Sequence, residues 1–160
     1  MNKPALKSVT QDIVVDEIFP HTPELIWKAL TSGELIARWL MPAFGFEPVE
    51  GNRFTYRTTP AGAWDGTIHC EVIEVVPNQR LAYSWKGGHE TNVGYGSRLE
   101  TVVTWTLTPA STGTRVNVVH SGFVLPRNET AYRNMSDGWT KVVRSLNAIA
   151  AEQGSAKKSN

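Results

Sequence analysis

Polar and apolar residues alternate along much of this chain, and the alternation gives way to a helical spacing at three places. The stretch DIVVDEIF, 12–19, is rich in β-branched residues and reads as a strand. HTPELIWKAL comes next, with Thr22 as a good N-cap and Pro23 suited to the first helical position. Leu25, Ile26, Ala29 and Leu30 then supply one apolar face. TSGELIARWLMP repeats the arrangement: Ser32 caps, Leu35, Ile36 and Trp39 face inward, and Pro42 ends the segment. The Ser32–Gly33 step separates two short helices.

From 44 to 121 the period is two. The runs FGFEPV, RFTYRT, GTIHCEVIEVV, RLAYSW, RLETVVTWTLT and TRVNVVHSGF are divided by turn-forming segments such as EGN, PAG, PNQ and PASTG. Short joins of this kind imply antiparallel strands, and the N-terminal strand adds one more. VLPRNETAYRN, 124–134, reads as a loop. It leads to a last helix of about 17 residues, ~25 Å long, with Ser136 as its cap and Gly154 as its end. Trp139, Val142, Val143, Leu146, Ile149 and Ala150 form a stripe along one side of it. Such a stripe needs an apolar sheet face, and the alternating strands supply one. The expectation is an α+β fold in which a curved antiparallel sheet wraps around the final helix.

Composition bounds this picture without altering it. The 160 residues suit one domain, expected over 11–153 with loose ends at 1–10 and 154–160. Hydrophobic residues make up 41% and charged residues 19%, enough apolar material for a core. A net charge of +1 offers no electrostatic footprint for nucleic acid. The single cysteine, Cys70, excludes an intrachain disulfide and a cysteine-rich metal site, and its parity with Ile68 and Val72 makes it a small buried hydrophobe. The opening MNKPALKSVTQD lacks the apolar run of a signal peptide, and no stretch reaches ~18 consecutive apolar residues. The expected location is the cytoplasm, with no membrane insertion.

Candidate chemistry is sparse. Histidines 21, 69, 89 and 120 show no ligand spacing, so neither a metal nor another cofactor is expected. Ser121 follows His120 directly, and neighbours on a strand point to opposite faces, so the two do not make a nucleophile and its base. No catalytic residue is assigned. His120 shares parity with Val116 and Val118, which leaves two readings: a polar handle in an apolar pocket, or a histidine bonded to backbone at a strand end. Trp105 shares parity with Val103 and Leu107, and Trp85 with Leu81 and Tyr83. These rings either line a cavity or fill a core. KGGHETNVGYGS precedes no helix, so it is a long hairpin connection or a lip over a cavity mouth.

Four stretches in order, PHTPELIWKALTSGELIARWL, GTIHCEVIEVVPNQRLAYSW, TVVTWTLTPASTGTRVNVVHSGF and GWTKVVRSLNAI, resemble the START-like, or SRPBCC, superfamily. Within it they are similar to the family named after the C-terminal domain of the heat-shock-protein-90 ATPase activator. The resemblance covers roughly residues 13–152. It implies the helix-grip fold, also seen in birch-pollen allergens, with a cavity between helix and sheet that admits lipids, polyketides or other apolar molecules. On that basis Trp139, Val142, Val143 and Leu146 are expected to roof the cavity, with Trp85, Trp105, Val118 and His120 on its floor. The founding co-chaperone's separate N-terminal domain is not expected, with about 12 residues before the first strand. A module binding a hydrophobic or aromatic small molecule is the leading expectation. An enzyme of the cyclase or hydrolase type using a pocket acid–base, and a chaperone-interacting stress-response protein, are the alternatives.

Overall fold

The computed structural model describes residues 9–158. Strand β1 (Val9–Phe19) leads into helices α1 (Pro23–Thr31) and α2 (Gly33–Trp39). Strands β2 (Ala43–Phe44), β3 (Arg53–Arg57), β4 (Thr67–Val76), β5 (Arg80–Gly87), β6 (Leu99–Ala110) and β7 (Gly113–Leu125) come next, and helix α3 (Glu129–Lys158) is last. The strands form one seven-stranded sheet in the order β1-β7-β6-β5-β4-β3-β2, antiparallel at every step. This is the expected α+β helix-grip architecture, with a curved sheet, a long C-terminal helix and two short helices after the first strand.

The caps act as their residue types suggest. Thr22 Oγ1 accepts from Leu25 N–H at 3.4 Å, and Ser32 Oγ accepts from Leu35 N–H at 3.3 Å. Trp39 Nε1 donates to Ala29 O at 2.8 Å, which locks α2 onto α1. On the sheet, one face of each central strand is buried: Val103, Trp105 and Leu107 on β6, Val116 and Val118 on β7. Register shifts between Gln11 and Ile13 and between Val72 and Glu74 break the ladders, and such bulges bend a sheet. Gly122, with φ +100°, lies opposite the first of them. The extra residue there turns both His120 and Phe123 inward, against simple alternation, with ring centroids 4.6 Å apart.

Three elements differ from the sequence reading. Of FGFEPV only Phe44 lies in a strand, Ala43–Phe44, because Asn52 holds residues 45–52 in a loop. Its amide accepts from Glu47 N–H at 2.9 Å and donates to Gly45 O at 3.1 Å. Helix α3 spans 30 residues, starting at Glu129 rather than near Ser136. Ser136 lies inside it, its hydroxyl donating to Tyr132 O at 2.7 Å, the back-bonding open to a serine within a helix. Gly154 does not end the helix either. A Cβ there would come within 3.3 Å of Leu25 Cδ1, so its small size serves the approach of α3 to α1. β1 and α3 thus extend into both segments read as loose ends, while 1–8 and 159–160 lie outside the described residues.

Candidate functional site

The space under the middle of α3 is filled. Trp139 descends from the helix between Trp85 and Trp105, with ring centroids 6.0 and 5.8 Å away. Trp105 meets Trp39 edge-on at 5.5 Å and donates from Nε1 to Tyr83 Oη at 3.2 Å. Val143 and Leu146 are buried beside Trp139, Val142 is half-buried at the margin, and Val118 is buried opposite Trp105 in the ladder. Roof and floor therefore meet directly over most of their length.

His120 sits at the centre of this contact, with no exposed surface. An indole nitrogen can only donate, so Trp139 Nε1–H gives its hydrogen to His120 Nδ1 at 2.9 Å. The proton of the neutral ring is thereby assigned to Nε2, which donates to Thr101 Oγ1 at 2.7 Å. Thr101 passes its own hydrogen to Trp85 O, also at 2.7 Å. Every group in the relay has a partner. Burial pulls the imidazolium pKa down to about 3, so the ring is neutral at physiological pH. Both ring nitrogens are committed, and neither is available to a substrate.

Open space lies further along, beneath the first turns of α3: a cavity of about 120 Å³. Ile68, Trp85 and Leu99 form its base on β4, β5 and β6. Ala131, Asn134 and Met135 cover it from α3. Its outer wall is built from the β3–β4 and β5–β6 loops, chiefly Trp64, Gly88, Tyr95 and Ser97. Among the described residues no charged side chain lines it. Tyr95 and Asn134 are its exposed members and mark the side facing solvent. Of the eight residues expected around a cavity, Trp85 lines this one, and the other seven lie in the packed region beside it.

KGGHETNVGYGS, one of whose two readings is a lip over a cavity mouth, lies beside this cavity, whereas the residue that anchors it, Asn128, was not singled out by the sequence. Asn128, buried just before α3, receives Val124 N–H on Oδ1 at 2.9 Å. Its Nδ2 donates to Ser97 Oγ at 3.0 Å and Arg98 O at 2.9 Å, clamping the β5–β6 loop to the helix start. Tyr95 Oη donates to Thr59 O at 2.7 Å and Asn92 Nδ2 to Ala61 O at 2.7 Å, tying the two loops together. The available signal was the Asn in PRNET, a residue suited to a helix start. Gly88 has φ +77°, and a Cβ on it would lie 2.1 Å from Ser97 O. Gly88→Ala is expected to cost about 2–3 kcal/mol, read as a lower urea midpoint at unchanged slope, because the loop must shift off the clamp.

Elsewhere, burial pushes the Cys70 thiol far up, which keeps it protonated and unreactive. Among the described residues no three of His, Cys, Asp and Glu converge to hold a metal, and no helix is long and apolar enough to cross a membrane.

A curved antiparallel sheet gripping a long terminal helix, with a small cavity between them, defines a protein of the START-like, or SRPBCC, class. The chain belongs to the family described as activator of Hsp90 ATPase homolog 1-like protein, whose model matches residues 20–151. A comparison with curated proteins gives no match. Among solved structures, a protein from Mesorhizobium loti is 36% identical, with 89% of this chain and 98% of that one covered and a TM-score of 0.77. A Bacillus halodurans protein is 22% identical, with 91% and 99% covered and a TM-score of 0.68. DynU16, a protein in the dynemicin biosynthetic locus, is 24% identical over 89% of this chain and 48% of its own, with a TM-score of 0.66. At those last two identities the likeness is one of fold.

Proposed function

We propose that this protein binds a small, neutral, ring-bearing molecule in the cavity beneath the first turns of α3. The observation that carries the reading is the cavity itself: about 120 Å³, walled by tryptophans, aliphatic side chains and methionine, with no charge on its lining. A dry apolar cavity of ~150 Å³ takes up a benzene ring, so the volume suits one ring rather than a folded chain. A lipid- or polyketide-like ligand fits with its ring or one end inside and the rest leaving past Tyr95 and Asn134. A neighbour in fold belongs to the dynemicin biosynthetic locus, and the support it lends is analogy alone. The acid–base alternative loses its candidate, because both nitrogens of His120 are engaged away from the cavity. A chaperone partner rests on the family description, and a cytoplasmic setting on the sequence.

Burying ~200 Å² of ligand at ~25 cal/mol per Å² yields about 5 kcal/mol, a dissociation constant of about 0.2 mM that association costs weaken into the millimolar range. Titrating monocyclic aromatics while following backbone amides is expected to shift Gly87, Gly88, Leu99, Ala131 and Met135 together. Ala131→Leu, which fills the cavity from α3, is expected to abolish the response while the protein remains folded. A broad panel that moves none of these amides overturns the reading.

A further inference from the structure

Two residues that line the cavity carry hydrogen-bond donors for which the described residues supply no acceptor. Trp64 Nε1 donates to Thr67 O at 2.9 Å and Tyr95 Oη to Thr59 O, so these two polar groups are satisfied. Trp85 differs. It is 3% exposed, and its Nε1–H has no acceptor among the described residues. Ser97 is 2% exposed, and its Oγ accepts from Asn128 Nδ2. That bond uses a lone pair and leaves the hydroxyl hydrogen of Ser97 with no acceptor among the described residues. Both residues line the same cavity, where neither an anion nor a cation is provided by the walls. Leaving a buried donor unmet is costly, and cavities with unmet polar groups favour occupants that meet them.

Building on the ring-sized binding reading, we infer that the ligand carries a neutral oxygen acceptor, a carbonyl or an aryl ether or hydroxyl, which takes up the hydrogens offered by Trp85 and Ser97. The ring lies against the apolar base, and the oxygen turns towards the sheet and the clamped loop. An acceptor-free ring of the same shape fills the same volume but leaves both donors unmet. A carboxylate is disfavoured on separate grounds, since among the described residues no cation lines the cavity to offset its burial.

The test uses the whole chain and two probes of nearly equal shape, acetophenone and ethylbenzene, titrated against amide resonances. Acetophenone is expected to bind about tenfold more tightly, and benzoate not to bind at the same site. Trp85→Phe keeps a ring and removes the N–H; Ser97→Ala keeps the fold of the loop and removes the O–H. Each is expected to bring the preference for acetophenone down to about threefold or less, with ethylbenzene affinity little changed. Equal binding of the two probes by the unaltered protein overturns this inference and leaves ring binding standing. Binding of neither overturns the reading beneath it. A preference that persists at full size in both folded variants overturns the assignment to these two donors.

Discussion

Lowering the pH from 7 to 5 is expected to weaken the fold by about 2 kcal/mol, and a single imidazole is responsible. His120 has a folded-state pKa near 3, set by burial, against about 6.5 in an unfolded chain. Between those values the unfolded state binds a proton that the folded state refuses, so stability falls as pH falls. The contribution is fully present above pH 6.5, and at about 1.4 kcal/mol per unit it declines by ~2 kcal/mol at pH 5. The Asp16 and Asp65 carboxyls, held below their ordinary value by Arg115 and by the Thr67 N–H, lose their stabilising effect only below about pH 4, outside this window. Urea unfolding at pH 7, 6 and 5 measures the slope. His120→Gln is expected to be less stable at pH 7, since Trp139 and Thr101 lose a well-placed partner, and its stability is expected to be nearly flat from 7 to 5. A flat profile in the unaltered protein would show that the ring takes a proton in place.

Apart from β2, the strands and short helices could be read in advance because each is written locally. Thr22-Pro23 and Ser32 signal helix starts by hydrogen-bond chemistry that needs no tertiary partner, and β6 and β7 alternate over long stretches. The beginning of α3 was not legible in that way. Residues 129–135 carry few apolar side chains, and their helical state depends on Asn128 anchoring them to a loop some thirty positions earlier. Because the cavity sits beneath those very turns, the same blind spot placed the expected site under the Trp139 stripe. Parity placed Trp85, Trp105, Val118 and His120 on the inner face, and they are there. Which part of an inner face is packed and which is hollow depends on ring orientations and on Gly88, Gly96 and their loop. A pattern of apolar and polar letters is the same in either case. Phe123 was missed for a different reason: the bulge at Gly122 reverses the parity on which such reasoning rests.

Trp139→Ala is expected to destabilise the fold severely, by about 3–5 kcal/mol. The indole is 4% exposed and bridges Trp85, Trp105 and His120, so its loss opens a void among rings that cannot all close inward. It also strands the Nδ1 lone pair of His120. Trp139→Phe separates the two effects: a ring still fills much of the space, and the remaining loss of about 1–3 kcal/mol is mostly that of an unmet acceptor. Chemical unfolding of both variants gives the two values. The vacated space in Trp139→Ala has the outline of an indole and an acceptor, His120 Nδ1, waiting at its edge. Millimolar indole is therefore expected to raise the melting temperature of Trp139→Ala by mass action, and to do so more than 1-methylindole, which has the same ring but no N–H to donate. Trp139→Phe, with the space occupied, is expected to respond to neither. An equal response to both compounds would mean that the His120 bond adds nothing to the hold on Trp139, and that the ring is kept in place by its packing alone.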